Sequence, residues 1–186
     1  MRYDRTVLAY HGCDADVADQ LLAGTSFRPS ENAYDWLGKG IYFWEYGHDR
    51  ALRFARFQQE RGKVKNPTVI GAVLQLGRCF DLMDTRFTLE LAVAFNALKQ
   101  SWDSSTPWPV NRGKTPDEEL RFLDCAVLNF YLEQFEATAP FQTVRGAFVE
   151  GDVAFSGSRI QRETHIQIAV RDPGCILGVF RPMMDR

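Results

Sequence analysis

The chain has 186 residues, of which 45% are hydrophobic, 25% charged and 13% aromatic, which suits one domain with one sizeable core and excludes a disordered polyampholyte. Its formal net charge of −2 excludes a global basic field for holding nucleic acid, although Arg50, Arg53, Arg56 and Arg61 crowd one short stretch. No run approaches the roughly 18 apolar residues of a membrane span. The first apolar run, Val7-Leu8-Ala9-Tyr10, is too short for a signal-peptide core, so a cytoplasmic protein with no membrane partner is expected.

In chain order, residues 7–12 read as a short buried strand ending in His11-Gly12. Asp14 is suited to cap a helix carrying Val17, Leu21 and Leu22, stopped by Gly24. A polar loop over 25–39 follows, and Gly40 opens the strand Ile41-Tyr42-Phe43-Trp44. Asp49 is then suited to cap a helix in which Ala51, Phe54, Ala55 and Gln58 share one face. Residues 68–82 read as a single long strand.

Two helices come next. The first, about 86–99, carries Leu89, Val93 and Leu98; the second, 117–136 after Pro116, carries Leu120, Leu123, Val127, Phe130 and Leu132. The polar, proline-containing stretch between them, 101–115, is expected to be a mobile surface loop. The last third reads as strands over 144–150, 165–171 and 176–180, with a Pro173-Gly174 turn before the last. This order is α+β rather than regular βαβ alternation: one domain over 1–186, with a helical insertion at about 84–137.

Cys13, Cys79, Cys125 and Cys175 stand far apart, with no CxxC pair and no histidine at ligand spacing, which points to reduced buried thiols and no metal. Gly38-Lys39-Gly40 precedes a strand, whereas a dinucleotide-binding loop needs glycines after one, and no phosphate-binding loop motif is present. Three segments remain: Tyr10-His11-Gly12, Gly40-Ile41-Tyr42-Phe43, and His165-Ile166-Gln167-Ile168-Ala169-Val170. Each sets a polar or aromatic side chain on an apolar strand, and each taken alone has a plain packing explanation.

Their joint occurrence in this order resembles the His–Tyr–Glu class of ADP-ribosyltransferases, the diphtheria-toxin and PARP-like family. That family carries His-Gly-Ser/Thr on its first core strand, Gly-Ile/Leu-Tyr-Phe on a later strand with a helix behind it, and a glutamate opening a further strand. The matching N-terminal block covers residues 7–57. The resemblance implies a split mixed and antiparallel β-sheet with flanking helices around an NAD cleft.

It also implies roles. His11 would donate a hydrogen bond to a ribose hydroxyl of NAD, the Gly12 backbone would pair with the nicotinamide carboxamide, and Tyr42 would stack on the nicotinamide ring beside Phe43. Arg53 stands where PARPs place a second stacking tyrosine, so Phe54 is the substitute candidate. Gln167 stands where the family has its catalytic glutamate. An amide keeps a hydrogen bond to the ribose but supplies no charge to the oxocarbenium that forms as nicotinamide leaves. Loss of one such preorganised contact costs roughly 2.7–4 kcal/mol, about 10²–10³ in rate. Glu163 is the nearest carboxylate in sequence, and His165 lies on the same strand face as Gln167; both are acceptor-side candidates.

The implied activity is NAD-dependent transfer of a single ADP-ribose to a protein or nucleic-acid acceptor, as in a toxin-like or defence effector with a cognate inhibitor. His11, Tyr42 and Gln167 are then expected to converge on one nicotinamide-sized space. Gln167 also favours an alternative, a module that binds NAD or ADP-ribose without turnover. A further alternative, the RNA 2′-phosphotransferase branch, needs basic residues around a phosphate, which Arg28, Arg159 and Arg162 meet only in part.

Overall fold

Asp14 closes the first strand, β1 (Tyr3–Asp14), and opens the first helix, α1 (Ala15–Leu22). Its carboxylate accepts from the Asp16 N–H as an N-cap and also from the Lys65 and Asn66 N–H groups, stapling the start of α1 to a distant turn. These backbone donors hold the Asp14 carboxyl below the usual range. The computed structural model describes residues 3–113 and 118–183. After α1 come β2 (Ile41–Glu45), α2 (His48–Glu60), β3 (Pro67–Gly77), β4 (Cys79–Asp81), α3 (Thr85–Ser101), α4 (Phe122–Glu133), β5 (Thr143–Phe148), β6 (His165–Val170) and β7 (Ile176–Phe180).

Several expectations change at element ends. The single strand expected over 68–82 breaks at Arg78, because Gly77 takes φ 59°, a left-handed turn that interrupts the ladder. Helix α2 is preceded by Gly47 at its N-cap, and Asp49 lies within the first turn, where it faces the positive end of the helix dipole. Helix α4 begins at Phe122 rather than 117; Pro116 and Asp117 lie outside the described residues. On α3 the buried face is Phe87, Ala94 and Leu98, whereas Leu89 and Val93 face solvent. The stretch expected to be mobile is pinned where it is described. Trp102 and Trp108 meet edge to face at 5.2 Å over Phe95, and Arg112 forms a backbone bridge with Leu120.

Among the described residues, seven strands form one mixed sheet in the order β4-β5-β6-β2-β1-β3-β7, parallel only between β4 and β5. One residue separates β3 from β4, yet they lie near opposite ends of that order, so the sheet must curl to bring its ends together. The curl encloses Val7, Ala9, Phe43, Leu74, Cys79 and Ile168 from five strands. The outer face carries a second cluster, where Phe80, Val144 and Ala169 pack under Phe87 of α3 and Leu128 and Leu132 of α4.

Strand β1 pairs with β3 from Thr6↔Gln75 to Asp14↔Pro67, but with β2 only at Ala9↔Glu45 and Tyr10↔Trp44. Beyond Tyr10 the two strands part, which makes β1/β2 a seam in the sheet. No helix of the described residues is long and apolar enough to cross a membrane.

Candidate functional site

Residues directly opposite in an antiparallel pair share a face. The register Tyr10↔Trp44↔Gln167 therefore makes one row across β1, β2 and β6, with Tyr42 and Ala169 on the same outer face. His11 alternates to the inner face, where its ring meets Phe27 edge-on at 5.5 Å and Phe43 at 5.6 Å. At the seam its Nδ1–H donates to the Tyr42 carbonyl oxygen at 2.8 Å, where a paired strand would have supplied an N–H. Burial lowers the His11 pKa against the opposing pull of that bond, so the ring is neutral. With Nδ1 donating, Nε2 is left as an acceptor, which reverses the donor role that the resemblance implies for His11.

The Tyr42 hydroxyl donates to the Gly38 carbonyl oxygen at 2.7 Å and accepts from the Leu37 N–H at 2.8 Å, so the tyrosine ties the 36–40 loop down. Burial raises its pKa well above the phenol range, with Asp35 adding to the effect. Phe43 is fully buried on the inner face and is core, not a contact for a ligand. Phe54 packs on Trp44 at 5.1 Å in a cluster with Ala51 and Val69, whereas Tyr42 belongs to the cluster beneath α3 and α4. The two therefore do not frame a common slot.

Gly12 has a packing reason of its own. A Cβ there would overlap the Ala51 carbonyl oxygen and sit 3.3 Å from the Ala55 Cβ, so the glycine lets α2 lie directly on β1. Gly12→Ala is expected to cost about 1–3 kcal/mol by overpacking. A urea unfolding midpoint equal to that of the wild type would contradict this close seat.

Gln167 is buried, and its Nε2 lies 2.9 Å from Nε2 of His165. His165 is held on its other side by the Glu163 carbonyl oxygen, 2.6 Å from Nδ1, and by Glu150 Oε2 at 3.3 Å. Its ring packs beside a Trp36–Phe148 pair whose centroids are 4.8 Å apart, stacked on Trp36 at 6.3 Å and tilted to Phe148 at 5.9 Å. Burial lowers the His165 pKa; the bond to Glu163 O opposes this, Arg50 adds to it, and the Glu150 and Glu163 carboxylates oppose it.

Helix α2 supplies the balancing cations. Arg50 pairs with Glu150 at 2.8 Å and Arg53 with Glu163 at 3.1 Å. The basic stretch noted in the sequence is thus partly neutralised by carboxylates from the far end of the chain. Glu150 carries no local signal for this place, because its partner stands 100 residues away.

A cleft of about 690 Å³ opens beside this network, lined by Tyr10, His48, Arg50, Arg53, Arg162 and His165 among others. On its wall the His48 Nε2 and Arg50 Nε atoms are buried without a hydrogen-bond partner. A second cleft of about 730 Å³ lies between Arg78, Phe141 and Arg171. Neither is lined by His11, Tyr42 or Gln167. The three expected residues therefore fall on three adjacent strands, with His11 bonded to Tyr42, but their side chains do not share one space: His11 projects inward while Tyr42 and Gln167 project outward. No group of three His, Cys, Asp or Glu side chains among the described residues could hold a metal ion. Comparison with protein-family models, with curated proteins and with solved structures finds no match.

Proposed function

We propose that this protein binds NAD at the β1/β2 seam and transfers one ADP-ribosyl group to a protein or nucleic-acid acceptor. The observation that carries the reading is the convergence in strand order. The His-Gly, Gly-Ile-Tyr-Phe and late-glutamine segments, far apart in sequence, form three neighbouring strands, and a histidine–carbonyl bond closes the gap between the first two. A ligand lying on one face could not meet both His11 and Gln167, but one lying across the parted strands can.

The residues present fit the chemistry of such a ligand. Beyond Tyr10 the edge of β1 has no ladder to β2, which leaves backbone for a carboxamide to pair with. The bare Nε2 of His11 can accept from a ribose hydroxyl. Of the arginines on the adjoining cleft, Arg50 and Arg53 are held by Glu150 and Glu163, and Arg162 offers its guanidinium group to a diphosphate. NAD supplies a glycosidic bond whose cleavage releases neutral nicotinamide while the acceptor's nucleophilic oxygen or nitrogen takes its place and gives up a proton.

Calorimetric titration with NAD, paired with an assay of nicotinamide release, tests the reading. Binding together with release is expected, and the absence of both overturns it. Binding without release would instead support a non-catalytic NAD or ADP-ribose module. One observation favours that second reading: the carboxylates of Glu150 and Glu163, the two acidic residues in contact with His165, are already paired with Arg50 and Arg53.

A further inference from the structure

Gln167 is buried on β6 with its terminal amide against the His165 ring. The side chain stands on β6 opposite Trp44 of β2 on one side and Gly146 of β5 on the other. Its amide could in principle offer either end to the neighbouring imidazole, and the hydrogen bonds around that imidazole decide which.

Nδ1 of His165 has two neighbours. The Glu163 carbonyl oxygen at 2.6 Å can only accept, and Glu150 Oε2 at 3.3 Å is an oxygen that already accepts from the Arg50 guanidinium. The proton of the neutral ring therefore sits on Nδ1. Nε2 is left bare, and it lies 2.9 Å from a Gln167 terminal atom. An amide oxygen there would set two acceptors against each other, so the atom must be the NH₂ group, donating. The amide is then fixed with its nitrogen toward His165 and its carbonyl oxygen turned away, free to accept.

We propose that Glu150 and His165 are positioning residues that hold the Gln167 amide in a single orientation and present its carbonyl oxygen to a substrate hydroxyl. The substrate part of this rests on the NAD reading above; the orientation part does not. The arrangement returns to glutamine what the missing glutamate had, an oxygen acceptor facing the ribose, without the negative charge.

A proton on Nε2 would reverse the order. The imidazolium would donate where it now accepts, the amide would turn to offer its oxygen inward, and the substrate would meet an NH₂ donor. The charged groups around His165 bear on this from each side. Glu150 and Glu163 come from the loops after β5 and before β6, Arg50 and Arg53 from α2, and Arg121 lies over the paired Trp36 and Phe148 rings that pack beside the imidazole. With the His165 pKa lowered from 6.5, the reversal belongs to the pH range below that value, and nicotinamide release should fall there and be restored on returning to neutral pH.

The deciding measurement is made on the whole chain. Nitrogen-15 NMR of the histidine ring at pH 7.5, with His165 assigned by its absence in His165→Phe, is expected to show the Nδ1–H tautomer. An Nε2–H tautomer overturns the proposal. Gln167→Glu sets a carboxylate against Nε2 and is expected to raise the His165 titration midpoint by about 1–3 pH units. An unchanged midpoint in a folded variant also overturns it.

These readouts need no NAD. If they come out as expected while NAD neither binds nor is cleaved, the positioning pair stands and the NAD reading falls. If nicotinamide is released but the tautomer is Nε2–H, the NAD reading stands and the pair falls.

Discussion

Arg145→Ala is expected to lower the unfolding free energy by about 3–5 kcal/mol, the cost of leaving buried charges without their partner. Arg145 stands on β5 with its side chain almost wholly buried. Its guanidinium meets Glu45 through Nε at 2.5 Å and Nη2 at 3.1 Å, and reaches Asp81 through Nη1 at 3.1 Å. Arg5 closes the group from β1 with a 2.9 Å bond to Glu45. The cluster thus joins four strands, β1, β2, β4 and β5, and Glu45 is one of the two residues at which β2 still pairs with β1.

Removing the guanidinium leaves two carboxylates facing each other in the interior with only Arg5 to offset them. Urea denaturation measures the change, and a loss under about 1 kcal/mol would show that solvent reaches the cluster and screens it. Replacing Arg145, Glu45 and Asp81 together by apolar residues of similar volume should recover much of the loss, since the penalty lies in the unpaired charge rather than in the absence of the ion pair.

Under the proposed NAD cleavage, His11→Asn is expected to lower the rate of nicotinamide release by about 10²–10³, the effect of removing one preorganised contact in an active site. Asparagine is chosen because its amide N–H can replace the Nδ1 donor to the Tyr42 carbonyl, so that the seam stays closed, while nothing replaces Nε2. His11→Ala removes both. It should show the same loss of activity and, in addition, about 1–3 kcal/mol of instability from the orphaned carbonyl. Turnover of His11→Asn at the wild-type rate would remove His11 from the site. A stable His11→Ala protein would mean that water satisfies the Tyr42 carbonyl and that the seam is open.

Much of the architecture was legible before folding, where a local rule sufficed. The Asp14 cap, the α2 periodicity, and the apolar strands at β2, β6 and β7 follow from residues a few positions apart, so the α+β class could be read from them, whereas on α1 Val17 and Leu22 face solvent and Ala18 is buried with Leu21. The errors lie where a local pattern was ambiguous. An apolar run over 68–82 carries no mark of the left-handed turn at Gly77 beyond the glycine itself, and glycine is also tolerated inside strands. Phe43 and Phe54 are expected as ligand contacts only through the resemblance, and an aromatic residue suits a ring slot and a core equally well. Only the inner face of the curled sheet and the Trp44 cluster decided between these uses.

What the sequence by itself determined is that His11, Tyr42 and Gln167 stand on short apolar strands, since a strand shows in a local run of residues; that His11 faces inward while Tyr42 and Gln167 face outward follows from the pairing of those strands. Tertiary structure alone decided that β1 and β2 part beyond Tyr10, that α2 sits on Gly12, and that Glu150 and Arg50 enclose His165 and Gln167. Those facts depend on strand order and on charge pairs drawn from opposite ends of the chain. Contacts of that kind are selected by the closing of the whole sheet, and no window of neighbouring residues contains both partners.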